Sequence, residues 1–165
     1  MLRTLAPPVT FAVEAWSQVQ PELAALLPCH WQEIALDQDV IALDMDWDAY
    51  AYLAAQGILQ VVTVRTPSHE LVGYFLSFVR PHLHYRQSLT AFEDMFFLCP
   101  EYRQGWTGVR FFQFIEAHWR SLGVERAAMS FKLHFRRGRV GKLLQYLGWH
   151  ATEMHYTKYL GGKRG

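Results

Sequence analysis

Residues 98–108, Leu98-Cys99-Pro100-Glu101-Tyr102-Arg103-Gln104-Gly105-Trp106-Thr107-Gly108, carry the pattern that decides the reading of this chain. The residues before them, 91–98, read as a strand that ends at Cys99-Pro100. Those after them predict a helix over 107–121. Phe111, Ile115, Trp119 and Leu122 recur there at helical spacing, and Gly123 closes it. A strand that runs through a glycine loop into a helix makes an anion site. The first helical amides have no intrahelical partner, and the helix dipole favours negative charge there. Gly105 and Gly108 let backbone approach a phosphate, and Arg103 adds positive charge. No Gly-Lys-Ser/Thr ending exists, which excludes a P-loop, and the three spaced glycines of a dinucleotide fingerprint are missing. Gly-x-x-Gly also occurs in the nucleic-acid clamp of KH domains. That module needs basic flanks, whereas an aromatic helix face follows here.

Upstream of the loop, apolar spacing predicts a helix over 11–27, with Pro21 either kinking it or starting a second one. A second helix is expected over 46–56, capped by Asp46 and ended by Gly57. The period then changes. Residues 58–65 and 71–79 are Val- and Thr-rich runs around the turn 66–70, and they predict a hairpin. Downstream, 124–133 predicts a strand, 140–147 a short helix, and 152–160 a last strand by alternation. This order gives an α/β (α+β) domain over 1–165, with a central mixed sheet and helices on both faces.

The composition is that of a chain able to bury a full core: 51% apolar, 19% charged and 15% aromatic. Cys29 and Cys99 form no redox or metal motif. The start of the chain lacks the apolar core of a signal peptide, and no apolar run is long enough to span a bilayer. An intracellular, cytoplasmic protein is expected. The net charge of +1 hides a segregation. No Lys or Arg lies between Arg3 and Arg65, a stretch that carries Glu14, Glu22, Glu33, Asp37, Asp39, Asp44, Asp46 and Asp48. From Phe131 onward, eight Lys and Arg face only Glu153. Either these are two solvated surfaces, or one pole meets a cationic partner and the other an anionic one.

The loop with its lead-in resembles the acetyl-CoA motif of the GNAT superfamily of N-acetyltransferases. Arg103 and Gly108 match the ends of that motif, while Trp106 stands where it has a glycine. Leu147-Gly148-Trp149 resembles the family's later Leu-Gly-Phe, and the element order fits over nearly the whole chain. Residues 102–108 and Lys158-Tyr159-Leu160 look most like small GNAT proteins of bacteriophage genomes. The resemblance implies a mostly antiparallel sheet and acetyl-CoA as co-substrate. Phe97, Leu98 and Cys99 would pair with the pantetheine arm and polarise the thioester. Residues Arg103, Gln104, Gly105, Trp106, Thr107 and Gly108 would hold the pyrophosphate, with Lys132 or Lys142 on the remaining phosphate.

A neutral amine needs a base, and an acid protonates the leaving thiolate. Glu93 and Asp94 stand on the strand before the loop, where the family often keeps an acidic base. By strict alternation Asp94 shares a face with Phe96 and Leu98, and a bulge would invert this. The structural alternative is a plain hydrogen-bond acceptor. The family's frequent acid, a Tyr four residues before the Gly, is Leu144 here; Tyr156 and His134 are unranked substitutes. His82 and His84 have the spacing of a strand-face metal pair but lack a third ligand, so groove or surface histidines are the simpler reading. Trp16, Trp31 and Trp47 lie in the helical region that covers the family's acceptor groove; core packing explains each equally well. Three functions stay open: acetylation of a small primary amine, modification of a nucleobase or macromolecule, and a silent binding module. A homodimer is also left open.

Overall fold

The computed structural model describes residues 6–133 and 138–161. The chain runs β1 (Thr10–Val13), α1 (Trp16–Ile34), α2 (Trp47–Ala55), β2 (Leu59–Arg65), β3 (Leu71–Pro81), β4 (Leu89–Leu98), a single 3-10 turn (Pro100–Tyr102), α3 (Thr107–Ser121), β5 (Arg126–Ala128) and α4 (Arg139–Tyr146). The sheet order is β1-β2-β3-β4-β5. All pairs are antiparallel except β4 with β5. The expected mixed, mostly antiparallel sheet is therefore present.

Side-chain alternation splits the core in two. Val62, Val64, Phe75 and Leu98 face α3 and α4, where Phe111, Ile115 and Trp119 meet them. Val61, Tyr74, Leu76 and Phe97 face α1, where Val19, Leu23 and Leu27 cover them. Each helix buries one apolar stripe. Asp46 caps α2 by accepting the Ala49 amide at 2.9 Å, and Gly57 ends it at a φ of 69°.

Two expectations fail at the ends of the chain. Residues 11–27 are not one helix: Thr10–Val13 pairs with β2, and α1 starts at Trp16 and carries both Pro21 and Pro28. The strand expected over 152–160 does not form, and those residues are exposed. The strand expected over 124–133 shrinks to Arg126–Ala128, because β4 supplies a partner for only three residues. Among the described residues no helix is long and apolar enough to cross a membrane.

Gly73 lets β3 and β4 approach closely. A Cβ there would sit 2.8 Å from the Phe97 carbonyl oxygen and 2.8 Å from Leu98 Cδ1. Gly73→Ala is expected to destabilise the fold by about 1–3 kcal/mol through overpacking. Urea unfolding checks this, and an unchanged midpoint would mean that β4 yields without cost.

Candidate active site

Strand β4 is the spine of the site. Leu76 pairs with Met95 but Ser77 pairs with Glu93, so Asp94 is an extra residue in a β-bulge. The bulge inverts the strict alternation. Glu93 lies opposite Ser77, which faces α3 and accepts the Trp119 indole N–H at 3.1 Å. Asp94 turns to the other face, where its Oδ2 accepts the Tyr50 hydroxyl at 2.6 Å. Met95 follows it onto the α1 side. Bulges of this kind re-aim side chains next to active sites.

The two carboxylates have different partners. Burial raises the pKa of Asp94, against the hydrogen bond from Tyr50 that lowers it. Burial also raises that of Glu93, opposed by its bonds to Ser130. Glu93 Oε2 accepts the Ser130 amide at 3.0 Å and its hydroxyl at 3.3 Å. It thus ties down the chain where β5 leaves β4, since pairing stops at Phe92 and Ala128.

Beyond that point the outer edge of β4 is open. The Cys99 amide donates to Val72 O at 2.8 Å, so in the antiparallel ladder Phe97 and Cys99 turn their backbone groups toward β3. Phe96 and Leu98 turn theirs to the open side, and the Leu98 carbonyl accepts Arg103 Nε. Of the expected strand Phe97, Leu98 and Cys99, only Leu98 offers its backbone to that cleft; Phe96 joins it.

The loop is built as an anion cradle, but its Arg103 is engaged elsewhere. The Arg103 guanidinium pairs with Glu33 of α1, with Nη2 to Oε2 at 2.6 Å, and lies 5.1 Å over the Phe97 ring. It clamps the loop to α1 and β4. Gly105 has a φ of 57°, which suits glycine. Among the described residues, the amides of Gln104, Gly105 and Trp106 make no backbone hydrogen bond, and no side chain caps α3. Thr107 Oγ1 is fully buried without a partner. An orphaned hydroxyl beside uncapped amides fits a phosphate. Gly108 serves packing. A Cβ there would meet Leu143 Cδ1 at 3.2 Å, so its absence lets α4 pack on α3. Trp106 is exposed at the mouth with its ring 5.8 Å from that of Tyr146. Arg139 and Lys142, three apart on α4, share its face with Leu143 and Tyr146. Arg110 projects from the first turns of α3 and is exposed. Arg110 was missed from sequence, although a cation one turn past the glycines was the signal.

On the α1 side, Leu27, His30, Trp31, Leu43, Met45 and Met95, the residue after Asp94, line a pocket of about 170 Å³. Its walls are apolar. His30 bonds the Tyr74 hydroxyl at 2.7 Å, and burial lowers its pKa to about 4, so it is neutral at pH 7. The acidic stretch is smaller than its sequence count. Glu14 and Glu22 pair with Arg65, Glu33 with Arg103, and Asp46 caps α2. Asp37, Asp39, Asp44 and Asp48 remain, on or just after the loop that carries Leu43 and Met45.

Tyr156 is not brought to this site. It lies 88% exposed on the last described segment. Leu144 is buried in the α3-side core, and His134 falls outside the described residues. Tyr50, the hydroxyl nearest the candidate base, was missed because it stands 44 residues away in sequence. Trp16 and Trp47 pack together, and Trp31 lines the pocket. His82 and His84 are ring neighbours at 5.2 Å, with no metal-holding group of three ligands among the described residues.

No protein-family model matches the chain, and no curated protein matches its sequence. Its fold does match solved structures. A ribosomal-protein-alanine N-acetyltransferase from Brucella melitensis aligns over 92% of this chain and 99% of its own, with a TM-score of 0.66 and 16% identity. An aminoglycoside 6'-N-acetyltransferase from Acinetobacter baumannii aligns over 93% and 100%, with a TM-score of 0.62 and 19% identity. A glucosamine-6-phosphate N-acetyltransferase from Arabidopsis thaliana aligns over 93% and 99%, with a TM-score of 0.67 and 10% identity. The bulged β4, its parting from β5 and the loop into α3 belong to a chain with the fold of the GNAT N-acetyltransferases.

Proposed function

We propose that this protein is an acetyl-CoA-dependent N-acetyltransferase that acetylates a primary amine by direct attack, with Asp94 as the base. The observation that carries this reading is the β4 bulge. It turns a half-buried carboxylate of raised pKa to the α1 side of the sheet, against Tyr50 and one residue before Met95 in the pocket wall, on the strand whose other end opens into the anion cradle. Acetyl-CoA supplies the acetyl group as a thioester; the amine nitrogen bonds its carbonyl carbon, the C–S bond breaks, and the thiolate leaves. Asp94 takes the ammonium proton, directly or through water, so that the amine can attack. The open backbone of Phe96 and Leu98 lines the cleft where donors to a developing oxyanion are needed. The amides of Gln104, Gly105 and Trp106, with Thr107 Oγ1, hold phosphate, assisted by Arg110 and Lys142. Arg103 supports this cradle from behind.

The apolar pocket whose wall includes Met95 argues for an acceptor with an apolar body, and the aspartates on and just after the segment that carries Leu43 and Met45 argue for the ammonium it carries. Thiol release from acetyl-CoA across a panel of amines tests both. Arylalkylamines are expected to exceed aminoglycosides in kcat/KM by at least about tenfold, the scale of a filled apolar pocket. No turnover with any amine would leave a silent module. A salt-sensitive gel shift with RNA or DNA would instead favour a nucleic-acid substrate.

Trp106 and Tyr146 offer an exposed aromatic surface beside the cradle. Trp106→Ala is expected to weaken acetyl-CoA binding about 5- to 150-fold, the 1–3 kcal/mol of one base–aromatic stack. Calorimetric titration reads this. Unchanged affinity would remove the ring from the binding site.

A further inference from the structure

On the α1 side of the sheet the apolar core ends at Phe78 on β3 and Met95 on β4. Farther along the same face, toward the β3–β4 turn, the strands carry charge. Val79, Ala91 and Ala127 belong to the α3-side core, so their chain neighbours Arg80, Thr90, Phe92 and Arg126 point to the α1 side. The register sets Arg80 against Thr90 and Thr90 against Arg126, in one row across β3, β4 and β5. Two strand spacings put the backbones of the two arginines about 10 Å apart. Side chains that long can meet on one group above Thr90. The Arg80 guanidinium leans along the face to 5.2 Å from the Phe92 ring centre, and the His82 ring stacks on Phe92 at 5.9 Å. Among the described residues neither arginine has a carboxylate partner. Asp94, farther along β4 on this face, is held by Tyr50. Thr90, between the two cations, is 1% exposed, and its Oγ1 has no hydrogen-bond partner. A buried hydroxyl without a partner is costly, and so are like charges set side by side on a sheet. One bound anion relieves both.

We propose that Arg80, Thr90 and Arg126 form an oxyanion subsite that holds a carboxylate or phosphate carried by the acceptor amine. Guanidinium forks bind either group through paired, charge-assisted hydrogen bonds, and the Thr90 hydroxyl donates one more from the floor. Thr90 stands four residues before Asp94, about 13 Å along an extended strand. The bulge takes up part of this length, and Arg80 takes up more by leaning over Phe92. The acceptor is therefore an amine with an acidic group on the order of 10 Å from its nitrogen, joined by a stem that crosses the Phe92 ring. This deepens the acetyl-transfer reading and rests on it for the amine; the anion row itself does not.

Two measurements separate the two claims. Inorganic phosphate and acetate, titrated into the full chain at millimolar concentration, are expected to give saturating NMR shifts at the amides of residues 90, 92 and 126. Residue-resolved shifts keep this row apart from the loop at 104–108. Arg80→Met with Arg126→Met is expected to weaken the response at the row at least about tenfold, the worth of a charged hydrogen bond. Should the double variant fail to fold, Arg126→Met alone, on an exposed residue, is expected to weaken it about three- to tenfold. No shift at these amides in the parent chain, or a shift that survives the substitutions, would overturn the subsite. Thiol release from acetyl-CoA then compares arylalkylamines that differ only in a terminal carboxylate or phosphate. The acidic member of each pair is expected to lead in kcat/KM by at least about tenfold, and Arg126→Met is expected to shrink that ratio. Whichever acid leads identifies the group the row takes. Equal kcat/KM within each pair would overturn the acceptor's acidic group. Phosphate bound at the row with no amine turned over would end the acetyl-transfer reading and support the anion site alone.

Discussion

Asp94→Asn is expected to lower kcat for amine acetylation by about 10²- to 10⁴-fold, the usual worth of a positioned general base. Affinity for acetyl-CoA should hold. Asn keeps the size of Asp and can still accept the Tyr50 hydroxyl through its amide oxygen, so the bulge need not rearrange. What it lacks is basicity. Glu93→Gln serves as the contrast. Glu93 Oε2 holds the Ser130 amide and hydroxyl, and Gln can accept from both. Its effect on kcat should stay within about tenfold. Steady-state thiol release with calorimetry measures both variants. Equal losses at the two positions would end the assignment of Asp94.

The pH profile gives a second reading of the same group. Asp94 works as a carboxylate, so activity falls as pH drops through its pKa. Burial raises that pKa, and the Tyr50 hydrogen bond holds it down. Tyr50→Phe removes the lowering influence and leaves the burial. The acidic limb of kcat/KM should therefore move to higher pH, while the plateau above it persists. A limb that stays in place, or moves to lower pH, would mean that Tyr50 does not tune the base. If activity were instead lost on the alkaline side, Asp94 would be acting as an acid.

The sequence shows which side chains are strand-like or helical, but not what they pair with. The hairpin of β2 and β3, the capped α2 and the helix after the loop were legible because their signals are local. The N-terminal error has a physical cause. Phe11 and Val19 are eight residues apart, so they fit one helix face. Yet Phe11 packs on Phe111 on the α3 side, while Val19 sits in the α1-side core. A strand of the sheet whose Phe11 points to one face and a helix lying on the other face were read as one stripe. The tail had the right alternation but no partner within the described chain. The bulge was invisible for a different reason: an extra residue leaves no mark in composition or period, so whether Asp94 or Glu93 faced the α1 side had to come from the strand register. Arg103 shows the same limit in electrostatics. Its charge is plain in the sequence, but its partner Glu33 stands 70 residues away.

That partner makes Arg103→Ala the other large effect. The substitution removes a cation that is 12% exposed and takes one charged partner from the Glu33 carboxylate, which is 25% exposed. Breaking a fully buried pair costs about 3–5 kcal/mol, and the partial exposure of Glu33 brings this to about 2–4 kcal/mol. Tm should fall by about 5–15 °C for a domain of this size. Weaker acetyl-CoA binding in that variant would be ambiguous, because a loosened loop and a lost phosphate ligand give the same result. Arg103→Met with Glu33→Leu separates them. The pair is replaced by apolar groups that can pack over Phe97, so most of the stability should return, less about 1 kcal/mol for the Leu98 carbonyl that Arg103 Nε no longer meets. If the double variant regains its Tm and binds acetyl-CoA within about tenfold of the parent, Arg103 is a clamp and the loop amides hold the phosphate. If it regains its Tm but binding stays lost, the guanidinium itself must leave Glu33 for the ligand, and the ion pair is then the closed state of a loop that opens when acetyl-CoA binds.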